Sequence, residues 1–140
     1  MSTFDALDVQ RERYISLATF RRDGREVHTP VWFAADREDP SRLWVYTNRT
    51  SGKVKRVRAN GRARVAACSA RGRVTGEWID ASAGEAAHDG DPEAFERGMN
   101  AIVDRYGVQM RAALFFSRIG GRYEDRTILE IRLRDGRDAT

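Results

Sequence analysis

The chain has 140 residues, 41% hydrophobic and 33% charged, with a net charge of +4. That length fits one domain, 1–140, able to bury a core without disulfide or metal staples, and the one cysteine, Cys68, excludes an intrachain disulfide and suits a reducing compartment. Residues 1–9 show no basic and apolar regions of a signal peptide, and no apolar run approaches the roughly 18 residues of a membrane span, so the expectation is a cytoplasmic protein with no membrane contact.

In chain order, residues 5–13 read as a short helix with Leu7 and Val9 as its apolar contacts. Tyr14 to Phe20 alternates, with Ile15, Leu17 and Thr19 on one face and Tyr14, Ser16, Ala18 and Phe20 on the other, which predicts a strand. Asp23-Gly24 signals a tight hairpin, because both central residues tolerate positive φ. Glu26 to Ala35 resumes the alternation through Val27, Thr29, Val31 and Phe33. Pro30 has no N–H for a ladder, so this strand is expected at an edge or interrupted. After a polar turn over 36–41, Leu43 to Asn48 predicts a third strand with Trp44 and Tyr46 on one side. Ser51 reads as an N-cap, Gly52 to Ala59 as a helix burying Val54 and Val57, and Asn60-Gly61 as its stop.

Ala63 to Ser69 and Val74 to Ala81 predict two more strands joined around Gly72. Asp91-Pro92-Glu93 supplies a cap, a proline at the first helical position and an acid in the first turn. Phe95, Met99, Ile102, Val103 and Tyr106 then form one apolar helical face, Gly107 ends it, and 109–117 continue as a second short helix. Arg126 to Leu133 predicts the last strand, with Ile131 and Leu133 on one face. Several antiparallel strands with few helices give a mainly β fold, a small closed or split antiparallel β-barrel.

Charge is unevenly placed. From Ser41 to Gly76 there is no Asp or Glu, but there are ten basic residues: Arg42, Arg49, Lys53, Lys55, Arg56, Arg58, Arg62, Arg64, Arg71 and Arg73. The remainder, with 15 basic and 21 acidic residues, carries −6. Such a local field asks for an anionic partner; a solvated basic face is the alternative. Both lysines of the chain, Lys53 and Lys55, lie in this stretch among 23 arginines elsewhere and within it.

The most informative piece runs from Trp44 to Lys55, where a strand leads directly into a capped helix start. Unpaired N–H groups gather at such an end, and the helix dipole favours an anion there. Lys53, Lys55 and Arg56 oppose that dipole in an isolated helix, by about 0.3–1 kcal/mol for a first-turn cation. A bound phosphate would turn the cost into a gain; a basic surface helix that tolerates it is the other reading.

These residues carry a resemblance. Tyr46-Thr47-Asn48, then Ser51-x-Lys53, then Asn60 before a strand, resembles the phosphate-binding stretch of the pyridoxamine 5′-phosphate oxidase-like split-barrel superfamily. His28-Thr29-Pro30-Val31-Trp32-Phe33 resembles the preceding strand of its deazaflavin-dependent branch, as does the register Tyr14-x-Ser16-Leu17-Ala18-Thr19 followed by Asp23-Gly24. The resemblance covers residues 5–82 well and the rest loosely.

It implies an FMN-binding type of split barrel, homodimeric, with two equivalent cofactor sites at the subunit interface. It places the cofactor phosphate at Ser51, Gly52 and Lys53 and the ring system against His28, Thr29, Pro30, Val31 and Trp32 and against Tyr46, Thr47 and Asn48. Arg73 matches a position reaching the cofactor from a neighbouring strand, and Lys55, Arg56 and Arg58 are expected to face an anionic tail. Coenzyme F-420 has a phosphodiester and a polyglutamate tail, so the long basic patch suits it better than FMN, the alternative. The implied activity is hydride transfer between F-420 and a small conjugated organic acceptor. Gly52 stands where pyridoxamine phosphate oxidases carry an arginine, and Arg134-Asp135-Gly136-Arg137 shows no pyridoxal-gripping segment, so vitamin B6 oxidation is not expected.

Hydride transfer needs no protein nucleophile, and no catalytic residue is assigned. Cys68 reads as a buried thiol, His88 as exposed loop, and His28 as either a structural residue or a cofactor neighbour; the histidines show no metal-ligand spacing. Trp32, Trp44 and Trp78 either line a ring-binding cleft or anchor the core, with core preferred for Trp78. Other readings are an FMN-dependent oxidoreductase and a non-catalytic flavin or tetrapyrrole carrier of the same fold. From a different class comes a barrel binding single-stranded nucleic acid through basic residues interleaved with Trp44 and Tyr46. That last reading is disfavoured.

Overall fold

The computed structural model describes Leu7 and residues 12–87, 89–119 and 126–134, with side chains through Gly107 and again from Arg126. The order is β1 (Tyr14–Phe20), β2 (Glu26–Trp32), β3 (Ala34–Ala35), β4 (Arg42–Asn48), α1 (Gly52–Asn60), β5 (Arg62–Cys68), β6 (Ile79–Ala86), α2 (Pro92–Ile119) and β7 (Arg126–Leu133). All pairings are antiparallel, in one sheet of order β2-β1-β5-β6-β7-β4-β3. β2 and β3 occupy its opposite edges yet are separated only by Phe33. The sheet therefore curls until its two edges meet, which makes a split barrel.

Pro30 sits where its missing N–H costs least, on an edge strand opposite Ser16. Inside the barrel, Ile15, Leu17, Val31, Leu43, Val45, Val65, Ile79, Leu129 and Ile131 form the main core. Val54 and Val57 of α1 close it. A second core lies outside the sheet, where Phe95, Ala101 and Ile102 of α2 cover Trp44 and Ile128. Gly98 lets α2 approach so closely because a Cβ there would stand 2.7 Å from the Trp44 ring.

Several elements differ from expectation. The strand expected over Val74–Ala81 begins only at Ile79 and runs to Ala86; Val74 makes one isolated bridge to Cys68. The physical reason is the turn Ser69–Arg73, at whose Gly72 (φ 90°) a Cβ would stand 3.5 Å from the Pro30 ring. Thr75 and Gly76 then both donate to the Ala67 carbonyl, so this stretch folds back on the end of β5 and beside β2 instead of extending the ladder. In the first hairpin only Gly24 takes positive φ (91°), closing the turn on Arg21 O; Asp23 keeps negative φ and accepts the Arg25 N–H. Of the expected helix 5–13, Leu7 is buried in the core, Glu12 and Arg13 are not helical, and the rest lies outside the described residues. Gly107 (φ 68°, ψ −147°) breaks α2 into two helical parts, as its composition implied. His88 lies outside the described residues.

Candidate functional site

The strand-to-helix connection after β4 is built by Asn48. Its side-chain carbonyl accepts from the N–H and hydroxyl of Thr50, and its backbone carbonyl from Ser51 N–H. Ser51 is the N-cap of α1 in extended conformation (φ −67°, ψ 154°), but its hydroxyl caps nothing. The Ser51 Oγ is buried and has no hydrogen-bond partner among the described residues. An orphaned buried hydroxyl costs about 1–3 kcal/mol unless something else satisfies it.

Positive charge gathers beside this hydroxyl. No acidic residue lies in the first turn of α1. Burial, then the nearby charges of Arg56 and Arg126, hold the half-buried Lys53 ammonium below the usual lysine range. Arg56 turns back over the helix start: its Nη1 is 2.7 Å from where a Cβ on Gly52 would be, and its Nε donates to Thr19 Oγ1 at 2.6 Å. Burial and the charge of Arg21 lower the Arg56 pKa too. Arg126, across the ladder from Asn48, lays its guanidinium 5.9 Å from the Tyr46 ring centre. Among the described residues, Lys53, Arg56 and Arg126 have no ion-pair partner. Lysine and arginine crowd against a helix dipole of the same sign, beside an unsatisfied hydroxyl. Those groups fit a phosphoryl ligand, for which each would be a donor.

The remaining basic residues behave differently. Arg42 pairs with Glu130, Arg49 with Asp89, Arg58 with Glu85 and Arg64 with Glu26. Arg58, read from the sequence as facing an anionic tail, is held by Glu85 through two nitrogens. Arg56 likewise points back at the helix start, and Lys55 is exposed. Ten positive charges do not form one field; folding brings carboxylates from distant parts of the chain onto four of them.

The other expected site residues divide by strand face. Thr29, Val31 and Thr47 point inward with the barrel core. His28, Pro30 and Trp32 form the exposed outer row of β2. There His28 Nε2 lies 2.9 Å from Glu26, and its ring packs on Trp78 at 4.8 Å. Arg64 completes the cluster, over Trp78 and paired to Glu26. Trp32 is 53% exposed, stacked on Tyr106 (5.5 Å, 22°) with Tyr14 at its edge. Arg73 stands in the turn beside Pro30 rather than on a strand. Tyr46 packs outward against the α2 cluster.

The tryptophans separate three ways. Trp44 is fully buried, its indole N–H bonded to Asp36, and cannot line a cleft. Trp78 is half-buried on the outer face and is not a core anchor. Trp32 alone presents a broad free surface. Thr19, Arg21 and Arg126 belong to the cationic socket and were missed. Their signal lies only in the fold: strand register sets Arg126 opposite Asn48, and the Arg56 side chain reaches Thr19.

No helix among the described residues is long and apolar enough to cross a membrane. A search of curated protein sequences finds no match. Among solved structures, the heme storage protein HutZ from Vibrio cholerae is similar at TM-score 0.65 and 15% identity, over 91% of this chain and 85% of that one. The conserved hypothetical protein Rv2991 from Mycobacterium tuberculosis is similar at TM-score 0.64 and 20% identity, over 94% and 78%. An F-420 reductase is similar at TM-score 0.54 and 17% identity, over 90% of each chain. At such identities the likeness establishes the fold. The sequence profile described as pyridoxamine 5′-phosphate oxidase matches residues 4–139, nearly the whole chain, and with the split barrel above it shows that the protein belongs to the pyridoxamine 5′-phosphate oxidase family.

Proposed function

We propose that the protein is an oxidoreductase that binds coenzyme F-420 and transfers a hydride between it and a small conjugated organic acceptor, as a homodimer with the cofactor between protomers. The observation that carries this reading is the socket at the start of α1: a buried hydroxyl, a desolvated lysine and two arginines that have, among the described residues, no hydrogen-bonding partner for the first and no carboxylate for the others. When bound, the deazaflavin supplies the two-electron chemistry, while the protein supplies position and water exclusion. Ser51 Oγ, the Gly52 and Lys53 N–H groups and the Lys53 ammonium hold the phosphoryl group. Asn48 fixes the turn that aims them. The edge strand β2 offers its exposed outer row, His28, Pro30 and Trp32, to a planar ring system, and Lys55 and Arg73 remain exposed for anionic groups further out.

The pairing of Arg42, Arg49, Arg58 and Arg64 with carboxylates weighs against a nucleic-acid surface. The test is a fluorescence titration of the purified protein with F-420, FMN and heme, repeated with Lys53→Ala. The expected result is F-420 binding weakened tenfold or more by the substitution, the factor for losing one charge-assisted hydrogen bond of about 1.5 kcal/mol or more. Tight FMN binding without F-420 binding would replace deazaflavin by flavin. Heme binding alone would make the protein a tetrapyrrole carrier.

A further inference from the structure

We propose that Arg126 is the third cation of an anion clamp completed by Lys53 and Arg56, and that the clamp takes a phosphoryl group together with a second, linked anion. The proposal rests on the cofactor reading above and deepens it. The phosphate motif Ser51-x-Lys53 contributes one cation from its own stretch of chain. The fold adds two others. Strand register sets Arg126 opposite Asn48, the residue that begins the turn into α1. The Tyr46 ring, two residues earlier on the same strand, lies 5.9 Å from the Arg126 guanidinium and keeps it on this end of the sheet. From the other side, the bond from Arg56 Nε to the fully buried Thr19 leaves the Nη atoms of Arg56 at the Gly52 backbone.

The absence of counter-charge is local. Four other arginines of the same basic stretch each recruit a carboxylate, in a chain with 21 acidic residues. Lys53, Arg56 and Arg126 have none among the described residues. Three uncompensated cations repel one another, and a single phosphodiester would leave two positive charges unbalanced. Two linked anions come closer to neutralising the set, and they could span from the helix start toward β7. Arg126 would then decide between one anionic group and two.

Calorimetric titration of the full chain with inorganic phosphate, pyrophosphate and F-420 tests this, using the wild type, Arg126→Gln and Arg126→Lys. The wild type is expected to bind pyrophosphate about tenfold more tightly than phosphate, the value of one charge-assisted hydrogen bond. Arg126→Gln should erase that preference at an unchanged melting temperature, and Arg126→Lys should restore most of it. A wild type with no preference, a preference that survives Arg126→Gln, or an equal loss for both anions would each overturn the clamp. If Arg126→Gln does not fold, Arg56→Gln is read by the same criterion. Pyrophosphate preference without F-420 binding would sink the cofactor reading and leave the clamp standing; F-420 binding that ignores Arg126 would do the reverse.

Discussion

Replacing Asp36 probes the contact that ties α2 to the sheet. The Asp36 carboxylate is almost fully buried and accepts hydrogen bonds from Trp44 Nε1 (3.0 Å) and from Arg97 at Nε (2.7 Å) and Nη2 (2.6 Å). It also takes the backbone N–H groups of Glu38 and Asp39. In Asp36→Ala the Trp44 N–H is left buried without a partner, at about 1–3 kcal/mol. Arg97 loses its bidentate partner, but it is 42% exposed and can turn to water, so its loss falls well below the 3–5 kcal/mol of a fully buried pair. Together the expected cost is about 3 kcal/mol. For a chain of 140 residues that lowers the melting temperature by about 10 °C.

The pH dependence makes this a sharper test. The Arg97 hydrogen bonds, opposed by the cost of burial and helped by Trp44 and the Glu38 N–H, hold the Asp36 pKa well below the usual carboxylate range. A depressed folded pKa contributes stability that is fully present above the unfolded value near 3.9 and fades as pH falls toward the folded one. Urea unfolding followed by tryptophan fluorescence should therefore show a gap between wild type and Asp36→Asn that is constant at neutral pH and narrows below about pH 4. A gap below about 0.5 kcal/mol at pH 7, the range of an ordinary surface substitution, would refute the reasoning. So would a gap that does not change on acidification.

Gly98→Ala should destabilise by about 1–3 kcal/mol through overpacking, although alanine is the better helix former, because its Cβ would press within 2.7 Å of the Trp44 ring; thermal unfolding checks the sign. Burial and two arginines hold Lys53 below the usual lysine range, so cofactor affinity should begin to decline with rising pH below the ordinary lysine value of about 10.4. Titrations from pH 7 to 10.5 that stay flat would contradict that. Cys68 is a free, buried thiol whose pKa is raised by burial and by Glu12, so Ellman's reagent should label it only at the rate of unfolding; fast labelling of the native protein is the contrary result.

Local signals were sufficient for much of the fold. Period-two alternation placed β1 and β7 at their observed bounds, and the Ser51 and Gly61 punctuation placed α1 to within one residue. Where a turn packs against a distant element, the same logic failed. Nothing in Val74–Trp78 announces that Gly72 will rest on Pro30 and pull that stretch out of β6. The socket was legible as a motif at Ser51 and Lys53 because both sit on one short piece of chain. Arg126 and Thr19 were not, since only strand pairing brings them there.

The order of the residues alone determined β1 and β7, the helix after Ser51 and its basic first turn, since these follow from side-chain periodicity and backbone preference within a few neighbours. Tertiary structure decided which charges stay free. Folding placed Glu26, Glu85, Asp89 and Glu130 against four arginines and left Lys53, Arg56 and Arg126 with none among the described residues, an outcome set by contacts between residues up to 88 positions apart. Coulomb attraction acts on distance in space, and distance in space is what the one-dimensional pattern does not contain.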